Sequence, residues 1–163
     1  MLRDKNLIPL SRQHHNALAL CVRLDRALAS DQVDIEAWQS EIQALFEQEL
    51  GVHFSAEEEV LFPVAIRFPQ LSAIVEELRA EHQSLRDLFR RAGLRELEKP
   101  DLSALREVLT KHVRKEEQVL FEGMQKAMSA EELARLGREL DGMLKASSAC
   151  ILPTAATRLR PRS

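Results

Sequence analysis

One stretch occurs twice in this chain. His53-Phe54-Ser55-Ala56-Glu57-Glu58-Glu59-Val60-Leu61-Phe62-Pro63 returns 59 positions later as His112-Val113-Arg114-Lys115-Glu116-Glu117-Gln118-Val119-Leu120-Phe121. Both copies read His, three residues, Glu-Glu, one residue, Val-Leu-Phe. On a helix, side chains four apart stand one turn apart on the same face. Each copy therefore sets an imidazole beside a carboxylate, His53 with Glu57 and His112 with Glu116. The stripes that carry these pairs are otherwise apolar, and an ionisable group on a buried face is costly unless something satisfies it. Two such pairs facing each other across a helical bundle would form a metal site.

The rest of the chain supplies the helices such a bundle needs. Steps of three and four place Leu7, Leu10, His14, Ala17, Leu18, Cys21, Leu24 and Leu28 on one face of a first helix, which starts near Pro9 to Ser11, with Ser11 at the cap, and ends around Ser30-Asp31. His15 lies about 100° round, on a more polar stripe with Ser11, Val22 and Arg26. Asp34 caps a second helix with the stripe Ile35, Trp38, Ile42, Leu45, Phe46, Leu50, His53, Glu57, Val60 and Leu61, weakened at Gly51 and closed by Pro63 and Pro69. A third helix over about 70–97 carries Ile74, Val75, Leu78, His82, Leu85, Leu88, Phe89 and Ala92. A fourth, over about 101–128, carries Leu102, Leu105, Val108, Leu109, His112, Glu116, Val119 and Leu120. Ser129 and Glu132 read as a capping box for a short fifth helix reaching about Lys145, on the outside of the bundle. Short connections make the long helices antiparallel neighbours. The fold expected is all-α: an up-and-down antiparallel four-helix bundle over 1–147 with a short fifth helix, then a flexible basic tail over 148–163 that holds Arg158, Arg160 and Arg162.

All five histidines, His14, His15, His53, His82 and His112, fall on the four long helices. Neutral imidazole with carboxylate suits iron, zinc, copper, nickel or manganese. Three or more histidines with two glutamates exceed the four ligands of a structural zinc site, which points to two metals with bridging carboxylates. Glu58, Glu59 and Glu117 lie off the histidine face and read as solvated. Glu49, one turn before His53, is a candidate to hydrogen-bond a ligand, and Cys21 reads as a core thiol.

Composition narrows the alternatives. The two cysteines, Cys21 and Cys150, are far apart and lack Cys-x-x-Cys spacing, so neither a disulfide scaffold nor a thiolate zinc site is expected, and the cytoplasm is the default compartment. A net charge of −3 does not favour nucleic acid. No apolar run is long enough for a membrane span, and no glycine-rich phosphate loop or Gly-x-Ser-x-Gly motif occurs.

Four segments together carry a resemblance: Ser11 through Leu18, His53 through Pro63, Glu81 through Leu85, and His112 through Phe121. On these the chain resembles the hemerythrin-like, or HHE cation-binding, proteins over about residues 7–128. The resemblance implies a bundle holding two iron ions in a non-haem di-iron centre, oxo- or hydroxo-bridged, with zinc or manganese as other occupants. Glu57 and Glu116 would bridge, His53 and His112 would be terminal ligands, and His82 and either His14 or His15 would complete the set. Periodicity favours His14; the analogy of His15-x-x-Leu18 with His82-x-x-Leu85 favours His15. Oxygen-carrying hemerythrins place a second histidine four before the one on the third helix, and Leu78 stands there instead. One iron is then expected to lack a histidine unless His14 with His15, a nearby carboxylate such as Glu81, or water fills in. That departure points away from reversible oxygen carriage and toward sensing, storage or redox protection with dioxygen, peroxide or nitric oxide. The alternatives are a metal-dependent regulatory module and a ferritin-like iron oxidase; the latter uses Glu-x-x-His, which this chain lacks at the site. A monomer or a dimer is expected, with no partner protein named by the sequence.

Overall fold

The computed structural model describes residues 2–30 and 33–145. The expected basic tail and Cys150 lie outside the described residues. The described residues form five helices and no strand. Helix α1 is Ile8–Leu28. Helix α2 runs continuously over 35–65, α3 is Ser72–Gly93 after a 3₁₀ turn at Pro69–Leu71, α4 runs over 99–127, and α5 is Ala130–Leu144. Helix α1 packs on α4, α4 on α3 and α3 on α2, as an up-and-down bundle requires. No described helix is long and apolar enough to cross a membrane.

Local chemistry sets most of the ends. Asp34 caps α2 by accepting from the Ala37 amide at 2.9 Å. Ser129 and Glu132 exchange the two bonds of a capping box at the start of α5. Helix α1 begins a turn earlier than expected: Leu7 is its cap, and Pro9 sits in the first turn, where a missing N–H costs nothing. Ser11 is thus inside the helix, and its hydroxyl donates across the bundle to Glu117 at 2.6 Å. Helix α4 starts at Lys99 rather than Asp101, because the Asp101 carboxylate reaches back to the Glu98 amide at 2.9 Å. Arg95 adopts the left-handed conformation, with φ at 62°, to end α3, and the loop is anchored where the buried Leu97 amide donates to Gln39 Oε1 at 2.8 Å.

Neither α2 nor α4 is regular throughout. Each is interrupted by a π-helical turn at the repeated motif, Glu57–Leu61 in α2 and Glu116–Leu120 in α4, and α2 has another at Phe46–Leu50. The extra residue in each turn advances the buried face by one. Leu61 with Phe62 and Leu120 with Phe121 are buried, whereas Val119, expected in the core, is 47% exposed and Val60 is half-buried. Pro63 therefore does not end α2. It sits in the first turn after the π turn, and the helix continues to Ala65.

The core is divided. One apolar cluster includes Leu24, Trp38, Ile42, Phe89, Leu105 and Leu109. The other includes Leu10, Phe62, Leu78, Phe121 and Met124, together with the leucines of α5. Helix α5 thus closes the second cluster with Leu133, Leu136, Leu140 and Leu144 rather than resting on a finished bundle. Between the clusters lie buried histidines and glutamates.

Candidate metal centre

That polar layer takes one histidine from each long helix, His14, His53, His82 and His112, and one glutamate from each copy of the repeated motif, Glu57 and Glu116. All six are buried, and both glutamates are 0% exposed. They form two groups of four, each with ligating atoms within 4.8 Å of one another: His14, His53, Glu57 and Glu116 in one, and His82, His112, Glu57 and Glu116 in the other. The glutamates are shared, and each divides its oxygens between the groups. Glu57 Oε1 lies 3.0 Å from His53 Nε2 and 3.7 Å from His14 Nε2, while its Oε2 lies 3.2 Å from His82 Nε2. Glu116 Oε2 lies 3.0 Å from His14 Nε2, and its Oε1 lies 3.4 Å from His112 Nε2.

The outer nitrogen of every one of these rings is engaged. His14 Nδ1 donates to Glu117 at 2.7 Å, His53 Nδ1 to Gln13 Oε1 at 2.8 Å, His82 Nδ1 to Glu58 at 2.8 Å and His112 Nδ1 to Glu81 at 3.0 Å. The carboxylate partners are themselves held by cations, Glu117 by Arg3, Glu58 by Arg86 and Glu81 by Lys115. Hydrogen bonding at Nδ1 fixes the tautomer and aims the Nε2 lone pair inward, as metal-ligating histidines require. Glu58 and Glu117 are thus not the solvated residues expected. A side chain 100° round the helix from a ligand points at the neighbouring helix, where the outer edge of that helix's histidine sits. Each of these partners immediately precedes or follows a ligand candidate in the sequence: Gln13 before His14, Glu58 after Glu57, Glu81 before His82, Glu117 after Glu116. That adjacency was the available signal.

The inner atoms, by contrast, face one another across the layer. Among the described residues, none of the four oxygens of Glu57 and Glu116 has an aligned hydrogen bond. His14 Nε2 and His53 Nε2 are 3.0 Å apart, and His82 Nε2 and His112 Nε2 are 3.2 Å apart. Two imidazole lone pairs at that distance repel unless a cation or a proton stands between them. Buried polar atoms converging without partners are the mark of a cation site, since otherwise each would carry a desolvation cost. In the absence of a metal the carboxylates favour protons here. Burial pulls the His14 imidazole down, but Glu116, Glu117 and Glu57 outweigh it and hold its pKa well above 6.5. Burial also lowers His82, and Glu57, Glu116 and Glu58 raise it in net. Burial would raise Glu57, yet the surrounding His53, His14 and His82 hold it well below the usual carboxylate range. Burial would raise Glu117 as well, but donors on His14 and Ser11 bring it down to about 2.

The other expected residues are placed elsewhere. His15 is exposed, beside Ile8, Ser11, Arg12 and Asn16, and belongs to neither group. The outward turn of one residue along α1 is the reason, so of the two histidines left open by the sequence only His14 reaches the layer. Glu49 is buried but bonds Asn16 through both oxygens at 3.1 Å rather than a ligating histidine. Cys21 is a buried thiol in the first apolar cluster. Leu78 is fully buried in the second cluster, and Glu81 takes the outer edge of His112. The missing histidine therefore leaves the two groups matched, with two imidazoles each, rather than one group short.

The model of the hemerythrin HHE cation binding domain matches residues 9–123 of this chain. The chain belongs to the hemerythrin HHE family. No curated protein and no solved structure matches it. The matched span takes in all six converging residues and ends within α4, so α5 lies outside it. An HHE cation-binding domain with these buried His and Glu groups is able to hold metal between its four helices.

Proposed function

We propose that this HHE domain is a non-haem di-iron protein that binds or reacts with dioxygen, peroxide or nitric oxide, serving sensing, storage or redox protection in the cytoplasm. His14 and His53 would hold one ion, His82 and His112 the other, and Glu57 and Glu116 would bridge them. The observation that carries the reading is the division of each buried carboxylate between two histidine pairs, which gives every position two nitrogens and two oxygens. Iron favours such mixed imidazole and carboxylate ligation, and four protein donors leave coordination positions for a small ligand. When bound, the iron pair would supply the electrons and the open coordination sites. The chain's own part is to orient four imidazoles through Glu117, Gln13, Glu58 and Glu81, and to exclude bulk water by burial between two apolar clusters. Four imidazoles beside two carboxylates make a histidine-rich set, which counts against a ferritin-like oxidase, whose ligands are mostly carboxylates.

The deciding experiment is metal analysis of the purified protein, with its ultraviolet–visible spectrum before and after air is admitted to an iron(II)-loaded sample. About two irons per chain with new near-ultraviolet bands are expected. One zinc, or no metal after loading with a flat spectrum, would overturn the reading and leave a helical module with a polar layer.

A further inference from the structure

The two halves of the centre match in their ligands and differ in what surrounds them. Gln13 stands before His14 where Glu81 stands before His82, and Phe54 follows His53 where Val113 follows His112. Gln13 and Glu81 hold equivalent places, half-buried and bonded to the outer nitrogen of the histidine on the next helix. His53 therefore donates to a neutral amide oxygen, while His112 donates to a carboxylate. The other two rings, His14 and His82, both donate to carboxylates. The His82–His112 pair is thus backed by two carboxylates and the His14–His53 pair by one. A charged acceptor draws more strongly on the ring proton and makes the opposite nitrogen a better donor to metal.

Packing adds to the inequality. His82 is held by Phe54, stacked at 4.1 Å between ring centroids, and by Phe62 at 5.4 Å. His14 has Phe121 at 5.6 Å. Val113 takes the place on α4 that Phe54 takes on α2. The ring of His82 is the more firmly oriented of the two.

We propose that the two cation positions are unequal: the His82–His112 position fills first and holds its ion more tightly, the His14–His53 position is the exchangeable one, and Gln13 is the positioning residue that sets the difference. The inference rests on the two-cation reading above. It gives the centre a half-loaded state with the free ligands on the α1–α2 side.

The test is a titration of metal-free full-length protein with zinc(II) in competition with a chromophoric chelator, followed in parallel by the ring Nδ1–H signals of the four histidines in ¹H–¹⁵N spectra. Two phases are expected, separated by about tenfold or more in affinity, which is the range by which partners of ligating histidines act. The His82 and His112 signals should move in the first. Gln13→Glu should tighten the second phase toward the first, and Gln13→Ala should weaken it; a merely structural role would weaken both variants alike. The double variant Gln13→Glu with Glu81→Gln should bring the His14 and His53 signals forward. Two equivalents binding with one affinity, unmoved by Gln13→Glu, would overturn the inference and leave the two-cation reading standing. Binding of one equivalent or none would overturn that reading itself.

Discussion

Glu57 and Glu116 each open a π-helical turn, and in each the glutamate carbonyl accepts the amide proton five residues on, from Phe62 and from Phe121. Single π turns collect at functional sites because they re-aim side chains without ending the helix. Here they place a carboxylate in the layer and, in the next turn, two consecutive apolar residues under it.

The register of these turns is testable by substitution. Val119→Lys should change stability by no more than about 0.5 kcal/mol, because the side chain faces water. Leu120→Ala should cost about 2–5 kcal/mol and Phe121→Ala about 3–5 kcal/mol. Chemical denaturation of the metal-free variants checks this, and a regular α-helix through the motif would make Val119 the sensitive position.

Removal of a ligand should abolish or sharply reduce bound metal. His53→Ala and His112→Ala are each expected to do so while keeping the helical content of the parent. His15→Ala should keep the parent's metal content, since His15 is exposed and outside both groups. Equal metal content in all three variants would show that the buried histidines are structural.

Metal loading should release protons. In metal-free protein the pKa values of His14 and His82 are raised above 6.5, so at neutral pH the folded chain holds protons that the unfolded chain has begun to give up. Their stabilising contribution is complete below 6.5 and is lost as pH rises through the folded values. A cation displaces those protons, so affinity should rise over the same range. Calorimetric titrations in buffers of different ionisation heat would measure the release; identical heats in all buffers would refute it.

Glu117 acts in the opposite direction. Its carboxyl is held at about 2, below the 4.5 of an ordinary glutamate, so its contribution is present above 4.5 and is lost as pH falls toward 2. Glu117→Gln should flatten the acid limb of the metal-free stability curve in that window. It should also weaken metal binding about 10–100-fold, because the amide is a poorer acceptor for His14.

Much of this was legible in the sequence, because the two motif copies put His53 with Glu57 and His112 with Glu116 on one face, and because Asp34 and Ser129 are strong local caps. The choice between His14 and His15 was not, since adjacent residues compete for one face and only the packing angle of α1 decides. Glu58 and Glu117 were misread because helical periodicity describes a residue's own helix and not the ring on the next one. Val119 was misread because an i→i+5 bond leaves no mark in the pattern of apolar residues.

Among the described residues the two apolar clusters meet only across the polar layer, so the bundle resembles two small cores strung on the same four helices. Whatever neutralises that layer also couples the cores. Loss of metal should then show as a broadened melting transition, with the end of the bundle that holds Trp38 and the end that α5 closes losing their packing separately, and cooperativity returning when the ions do.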